Sequence, residues 1–216
     1  MNILTEHLML SLFPITILVL TMLSIVFKKS NLTVLRIIIW VAAFIISYLL
    51  IINNNFIEKS LFNGSIIIDK FGVMMFLIIL FISFLSLIVI EYYLINSKLS
   101  FSVEYIMLIL SCITGLVFLI FSQDLLIIFI SIEIIALSLY ILIAFEKEII
   151  AIEASLKYLI LSGVSASFLI FGIALIYSET NSFLLQDISK QLILLNNNIP
   201  YTVDLGVFFI LSGLFF

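Results

Sequence analysis

The fold is decided by residues 125–177, which read LLIIFISIEIIALSLYILIAFEKEIIAIEASLKYLILSGVSASFLIFGIALIY. This stretch contains two long apolar runs, Leu125–Phe145 and Ile149–Tyr177, with a short charged segment between them. Each run reaches the length of about 20 residues that a helix needs to cross the hydrocarbon layer of a membrane. Because the connection is so short, the two runs are predicted to form antiparallel neighbouring helices.

Ionisable residues inside these two runs are the candidates for chemistry. Glu133 is the only charged residue of the first run, and Lys157 lies eight residues into the second. Each such residue raises the free energy of membrane insertion by about 2.5–3.5 kcal/mol when it lies at the centre of a spanning helix. Counted from the ends of the two runs, Glu133 lies about 18 Å and Lys157 about 12 Å from the same membrane face. An acid and a base at similar depth indicate proton handling.

Two other interpretations of this pair stay open. Glu133 and Lys157 would also fit a structural ion pair that fixes helix packing, and the lysine could extend along the helix to the interface. Glu153 is a third candidate, because it precedes Lys157 by four residues and so shares its helix face. It either competes for the lysine and relays protons, or is an acid at headgroup level near a helix start.

The composition excludes most other classes of protein. Apolar residues make up 65% of the 216 residues and charged residues 10%, which is typical of an integral membrane protein. The net charge of −4 does not indicate nucleic-acid binding. The single cysteine, Cys112, cannot form an internal disulfide, and His7 stands alone, so no metal site is predicted. No phosphate-binding loop or redox motif is present, and we expect no cofactor in this chain.

Apolar runs bounded by polar residues predict an all-α, polytopic membrane helix bundle with six spanning helices and a truncated seventh. One further segment, Asn181–Leu195, has an amphipathic pattern and is predicted to be an interfacial helix or a plain connector. We treat residues 1–216 as one membrane domain, with three N-terminal helices in 1–104 and the start of a repeat in 105–216. The predicted spans are Leu8–Phe27, Leu35–Ile52, Phe71–Ile95, Tyr105–Phe121, Leu125–Phe145 and Ile149–Tyr177, and a seventh run starts near Leu205.

The seventh run, Leu205–Phe216, is 12 residues long. At 1.5 Å per residue it would reach about 18 Å, which is too short to cross about 30 Å of hydrocarbon. A second chain is expected to continue it, unless it is a half-helix packed in a complex or the product of a clipped chain. Basic residues are more frequent in loops after odd-numbered spans, so the N-terminus is predicted to face the outside.

An ordered set of short motifs resembles subunit 2 of NADH:ubiquinone oxidoreductase (respiratory complex I), the counterpart of the bacterial N subunit. The set covers most of residues 66–216, whereas the first two predicted helices match by position alone. Its members are Ile68-Asp69-Lys70-Phe71, Asp124-Leu125-Leu126, Ser131-Ile132-Glu133, Ser138-Leu139-Tyr140, Glu153-Ala154-Ser155-Leu156-Lys157-Tyr158 and Phe171-Gly172-Ile173-Ala174-Leu175-Ile176-Tyr177.

The resemblance implies an antiporter-like, proton-conducting subunit of the membrane arm, with electrons passing through other subunits. It implies that Glu133 and Lys157 take the places of the family's glutamate and lysine on successive helices. Expected partners are other membrane subunits, a second chain completing the subunit, and lipid, with no nucleic acid. The expected location is the mitochondrial inner membrane, or the plasma membrane in a bacterium. A cation/proton antiporter subunit and a structural or assembly subunit are the alternatives.

Overall fold

The computed structural model describes residues 59–96, 103–194 and 200–215. The predicted spans Leu8–Phe27 and Leu35–Ile52 lie outside the described residues. The elements, in chain order, are strands β1 (Lys59–Leu61) and β2 (Ile66–Ile68) and helices α1 (Lys70–Asn96), α2 (Val103–Phe121), α3 (Leu125–Ile143), α4 (Ile149–Thr180), α5 (Leu185–Leu194) and α6 (Tyr201–Phe215).

The four predicted runs between Phe71 and Tyr177 are all helices, with ends that differ from the predicted bounds by a few residues. Two of the described helices, α3 and α4, are long and apolar enough to cross a membrane by length and composition. Helix α4 is the longer, because its 32 residues correspond to about 48 Å. It therefore exceeds the thickness of the hydrocarbon layer, which is about 30 Å.

The described residues are mostly helical, as predicted, and a small antiparallel hairpin that the sequence analysis does not predict precedes α1. Strand β1 pairs with β2 in the register Lys59↔Ile68 to Leu61↔Ile66. The turn between them has a positive φ at Phe62, Asn63 and Gly64, and asparagine and glycine adopt this conformation more readily than other residues. The run of β-branched isoleucines in β2 favours an extended strand over a helix.

The last two helices also differ from their predicted bounds. The amphipathic segment forms α5 over Leu185–Leu194, which is shorter than the predicted Asn181–Leu195. Helix α6 begins at Tyr201, four residues before the predicted start. Pro200 lies directly before it and accepts a hydrogen bond from the Val203 N–H, which starts the first turn.

Three loops meet at one end of the helices and form what we term the loop junction, made of Ser65, Gln123 and Phe183 with their neighbours. The Gln123 N–H donates to the Ser65 carbonyl over 2.8 Å, and the Gln123 carbonyl accepts from the Leu185 N–H over 3.0 Å. The Leu125 N–H donates to the Phe183 carbonyl over 3.0 Å. The junction lies before α1, between α2 and α3, and after α4, as alternating antiparallel helices require.

The helices pack in a row, α1 on α2, α2 on α3 and α3 on α4, and α6 returns to pack along α4. The contact between α4 and α6 is especially close at glycines. A Cβ at Gly172 would lie 2.6 Å from the Gly206 carbonyl oxygen, and a Cβ at Gly213 would lie 2.7 Å from a side-chain carbon of Leu169. Small residues therefore let the two backbones approach, as in many membrane helix pairs.

Candidate functional site

Helix α3 holds Glu133 near its middle, ten residues before its last residue, Ile143. The helix starts at an N-cap, Asp124. The Asp124 carboxylate accepts hydrogen bonds from the Leu126 N–H over 2.9 Å and the Ile127 N–H over 3.4 Å. This cap satisfies two of the backbone donors that a helix start leaves free, and it fixes where α3 enters the bundle.

The buried polar residues of α3 lie on a different face from Glu133. Ser131 and Ser138 are almost fully buried, and their hydroxyl groups donate to the carbonyls of Ile127 and Ile134 in the same helix. Glu133 lies about 200° around the helix from Ser131 and is half-buried. Among the described residues, none forms an ion pair or a hydrogen bond with the Glu133 side chain.

Helix α4 carries the other two candidates, and the structure pairs them with each other. The Lys157 Nζ donates to the Glu153 Oε1 over 2.6 Å, an ion pair between residues four apart on one helix. The two side chains are 75% and 63% exposed. Such a short contact is typical of a charge-assisted hydrogen bond, so the two charges stabilise each other locally.

The direct contact between Glu133 and Lys157 that the sequence leaves open is not formed. Both groups lie at similar depth, about 15 Å and 12 Å along their helices from the α3–α4 turn. However, Lys157 points about 200° around α4 from Ser155, which is buried, so the lysine occupies the outward side of the helix. Glu153 is also within reach of Lys157 without any movement of helices, which explains the choice of partner.

The small-residue segment Ser162–Ser167 serves the contact with α6 at one of its residues. The Ser165 hydroxyl donates to the Gly213 carbonyl of α6. Ser167 donates to the Gly163 carbonyl in its own helix and is exposed, and a Cβ at Gly163 would meet nothing within 4 Å. The segment therefore presents one packed side and one open side.

One polar contact between helices is not predicted by the sequence analysis. The Thr202 hydroxyl donates to the Glu179 carboxylate over 2.6 Å and joins the end of α4 to the start of α6. The two residues are 23 positions apart, so no local pattern in the sequence indicates this pairing. Within residues 59–96, 103–194 and 200–215, no group of three or more histidine, cysteine or acidic side chains could hold a metal ion.

Comparison with known families identifies what this arrangement resembles. Residues 122–216 match the family described as NADH:quinone oxidoreductase/Mrp antiporter, transmembrane. The chain is 34% identical over 198 residues to NADH-quinone oxidoreductase subunit N of Blochmanniella floridana, covering 88% of this chain and 39% of that protein. It is 32% identical over 193 residues to subunit N of Pelagibacter ubique, covering 88% and 40%.

Solved structures show the same fold. A chain of respiratory complex I from Thermus thermophilus, determined with bound aureothin, is 21% identical and superposes with a TM-score of 0.67 over 96% of this chain and 42% of that chain. A chain of the membrane-bound sulfane sulfur reductase, an archaeal respiratory membrane complex, is 24% identical with a TM-score of 0.67, covering 97% and 44%. The chain spans about two fifths of the length of the two subunit N relatives described above.

Proposed function

We propose that this chain is a membrane-arm subunit of respiratory complex I of the subunit N kind, and that it contributes to proton translocation driven by NADH:quinone oxidoreduction. Similarity to subunit N over 88% of the chain supports the assignment. Its proposed partners are the other membrane subunits and the surrounding lipid. The electron-carrying groups are proposed to reside in other subunits, since no cofactor is expected in this one.

The observation that carries the proposal is the set of three ionisable groups inside the two membrane-crossing helices. Glu133 on α3 has no partner among the described residues, and Lys157 on α4 is paired with Glu153. An unpaired carboxylate is costly in an apolar surrounding unless it binds a proton or meets water or a cation. A group that must alternate between these conditions is suited to carry protons, and Lys157 is the proposed base at similar depth on the next helix.

The test is substitution of Lys157 in the assembled complex in its native membrane. Lys157→Met should lower the number of protons translocated per NADH oxidised, while the complex still assembles. The matched control is Lys190→Met, which removes the lysine of a comparable pair on α5, where Lys190 Nζ and Asp187 Oδ1 are 3.0 Å apart. Unchanged proton translocation in Lys157→Met, with the control also unchanged, would contradict the proposal.

A cation/proton antiporter subunit is the second candidate, because the description of the matching family includes the Mrp antiporters. The two functions are distinguished by the ion and by the associated proteins. Transport that depends on sodium ions in proteoliposomes containing this protein without redox subunits would favour the antiporter. Copurification with the iron–sulfur and quinone-binding subunits of complex I would favour the first proposal.

A purely structural role for the ion pair is less consistent with the geometry. A pair that locks two helices must join them, whereas Glu153 and Lys157 belong to one helix. Loss of Lys157 is therefore expected to leave the contacts of α4 with α3 and α6 in place. Full loss of assembly in Lys157→Met, with recovery of assembly and coupled activity in Lys157→Arg, would support the structural role instead.

Three finer predictions from the sequence stay predictions. They are the mitochondrial location, the outward-facing N-terminus and the second chain that completes the subunit. Protease protection of tags placed in the α3–α4 turn at Lys147 and in the loop junction would test the orientation, because these two sites lie at opposite ends of the helices. Accessibility of the Lys147 tag from the outside would overturn the predicted orientation.

A further inference from the structure

We infer that Glu153 is a positioning residue for Lys157: it holds the ammonium group on the outward side of α4, and this pair must open before Lys157 can take part in proton translocation. The inference rests on the proposed function, which it deepens by giving Lys157 a resting partner on its own helix. It assigns to Glu153 a role distinct from that of Glu133, although both acids lie on helices that meet at the α3–α4 turn.

The first argument is the geometry of the pair. Lys157 Nζ lies 2.6 Å from Glu153 Oε1, and the spacing of four residues with the acid first is the favourable order on a helix. Two opposite charges in contact have no net charge between them, so the pair reduces the cost of keeping a lysine inside an apolar helix. Glu153 thus explains how α4 accommodates Lys157.

The second argument is the direction in which the pair points. Ser155 lies between the two charged residues in sequence and is buried against the neighbouring helices. Both Glu153 and Lys157 are about 160–200° around α4 from it, on the open side with Val164 and Ser167. While the pair is closed, the ammonium group is directed away from the packed side of α4.

The third argument is the state of Glu133. It lies about 3 Å from Lys157 in depth, counted along the two helices from their common turn, and it has no ion pair among the described residues. Because the rotation of α4 keeps Lys157 away from this acid, Glu153 is the partner that the lysine contacts, and the opening of that pair is the step at which the lysine becomes available.

The experiment is a double-mutant cycle in the native assembled complex, read out as protons translocated per NADH oxidised and as the amount of complex. The variants are Glu153→Gln, Lys157→Met and the two combined. Because Glu153 acts through Lys157, its removal should lower proton translocation in the parent and change nothing further in Lys157→Met. The fold loss of proton translocation in the combined variant should be at least about twofold smaller than the product of the fold losses in the two single variants.

The outcomes separate the inference from the proposed function. If Lys157→Met leaves proton translocation unchanged, the proposed function fails. If Lys157→Met lowers it and Glu153→Gln does not, or if their effects simply multiply, the positioning role alone is overturned. The same cycle with Asp187→Asn and Lys190→Met is the control, since that pair has similar geometry on the amphipathic helix α5 and should give no change in either readout.

A second variant covers the case in which Glu153→Gln fails to assemble. Exchanging the charges, with Glu153→Lys and Lys157→Glu together, keeps a pair of opposite charge on the same helix side. We expect assembly to be restored without proton translocation, because the base then stands one turn closer to the helix start. Restored translocation in the exchanged variant would overturn the inference, since it would mean that any neutral pair at these positions suffices.

Discussion

The two sides of α4 differ in what they contact and in what they carry. The packed side, which we define by Ser165, Gly172 and Ile176, faces α6 through glycine contacts and a hydroxyl–carbonyl hydrogen bond. The outward side, defined by Glu153 and Lys157, carries an ion pair and open apolar residues. The packed side of α4 therefore contributes to stability and the outward side carries the ionisable groups. Closely packed helices leave no space for charged side chains or for their movement.

The largest expected effect on stability is at the packed side. Gly172→Ala would place a Cβ 2.6 Å from the Gly206 carbonyl and 2.8 Å from the Ile210 backbone nitrogen, neither of which can move aside easily. Overpacking of this kind lowers the free energy of unfolding by about 1–3 kcal/mol. The expected result is a lower melting temperature and less assembled complex, measured by thermal unfolding and native gel electrophoresis.

The control for this substitution lies on the same helix. Gly163→Ala meets nothing within 4 Å and replaces a helical glycine, which should stabilise the helix by about 0.5–1 kcal/mol. Opposite directions of change at the two glycines are expected. Equal losses at Gly163 and Gly172 would show that the two sides of α4 do not differ in the way described.

A smaller effect is expected for Ser165→Ala. This change removes the hydrogen bond from the Ser165 hydroxyl to the Gly213 carbonyl, and such bonds between membrane helices contribute about 0.6 kcal/mol on average. Ser167→Ala removes a hydroxyl that donates only within its own helix. The melting temperature should fall for Ser165→Ala alone, and an equal fall in both variants would contradict the assignment.

At the far end of the packed side, Thr202→Val should lower the free energy of unfolding by about 0.5–1 kcal/mol, because it removes the donor to the Glu179 carboxylate. Hydrogen exchange at the amides of the first turn of α6 should become faster. Ser178→Ala is the control, because that hydroxyl donates to the Leu175 carbonyl within α4. A change in exchange for Ser178→Ala of the same size would argue against a specific tie between α4 and α6.

The smallest effect on stability is expected on the outward side. Replacing both charges, with Glu153→Gln and Lys157→Met, should change the free energy of unfolding by no more than about 0.5 kcal/mol, because a pair four residues apart on one helix contributes little and removing both charges leaves neither one unpaired. Proton translocation should nevertheless be lost. Measuring the melting temperature and the protons translocated per NADH on one preparation would test this difference between the two sides of α4. A large drop in melting temperature would contradict it.

Several features of the fold could be predicted from particular residues. Long apolar runs indicated α1 to α4, because helix length depends on local sequence. The hairpin was not predicted, because the analysis followed the long apolar runs and Ile66, Ile67 and Ile68 form only a short one. An early start of α6 was missed because Tyr201–Asp204 is too polar for an apolar run.

Three candidate site residues were proposed from the sequence and their roles stay predictions, whereas their pairing could not be predicted. Glu133, Lys157 and Glu153 stand out because charge is costly in an apolar helix, and spacing along the chain sets their depth. The partner of Lys157 could not be chosen from spacing alone, since it depends on how α3 and α4 are rotated about their axes. Rotation is set by packing at residues such as Ser155 and Ser138, whose burial depends on neighbouring helices.

By itself, the sequence determined that this chain crosses a membrane, where its central helices run and which ionisable groups they carry. These properties follow from the cost of placing polar groups in hydrocarbon, and that cost acts residue by residue. The tertiary structure alone decided that α6 packs along α4, that three distant loops meet at one end, and that Lys157 pairs with Glu153 while Glu133 stays apart. These properties arise from contacts between residues far apart in the chain, which no local pattern records.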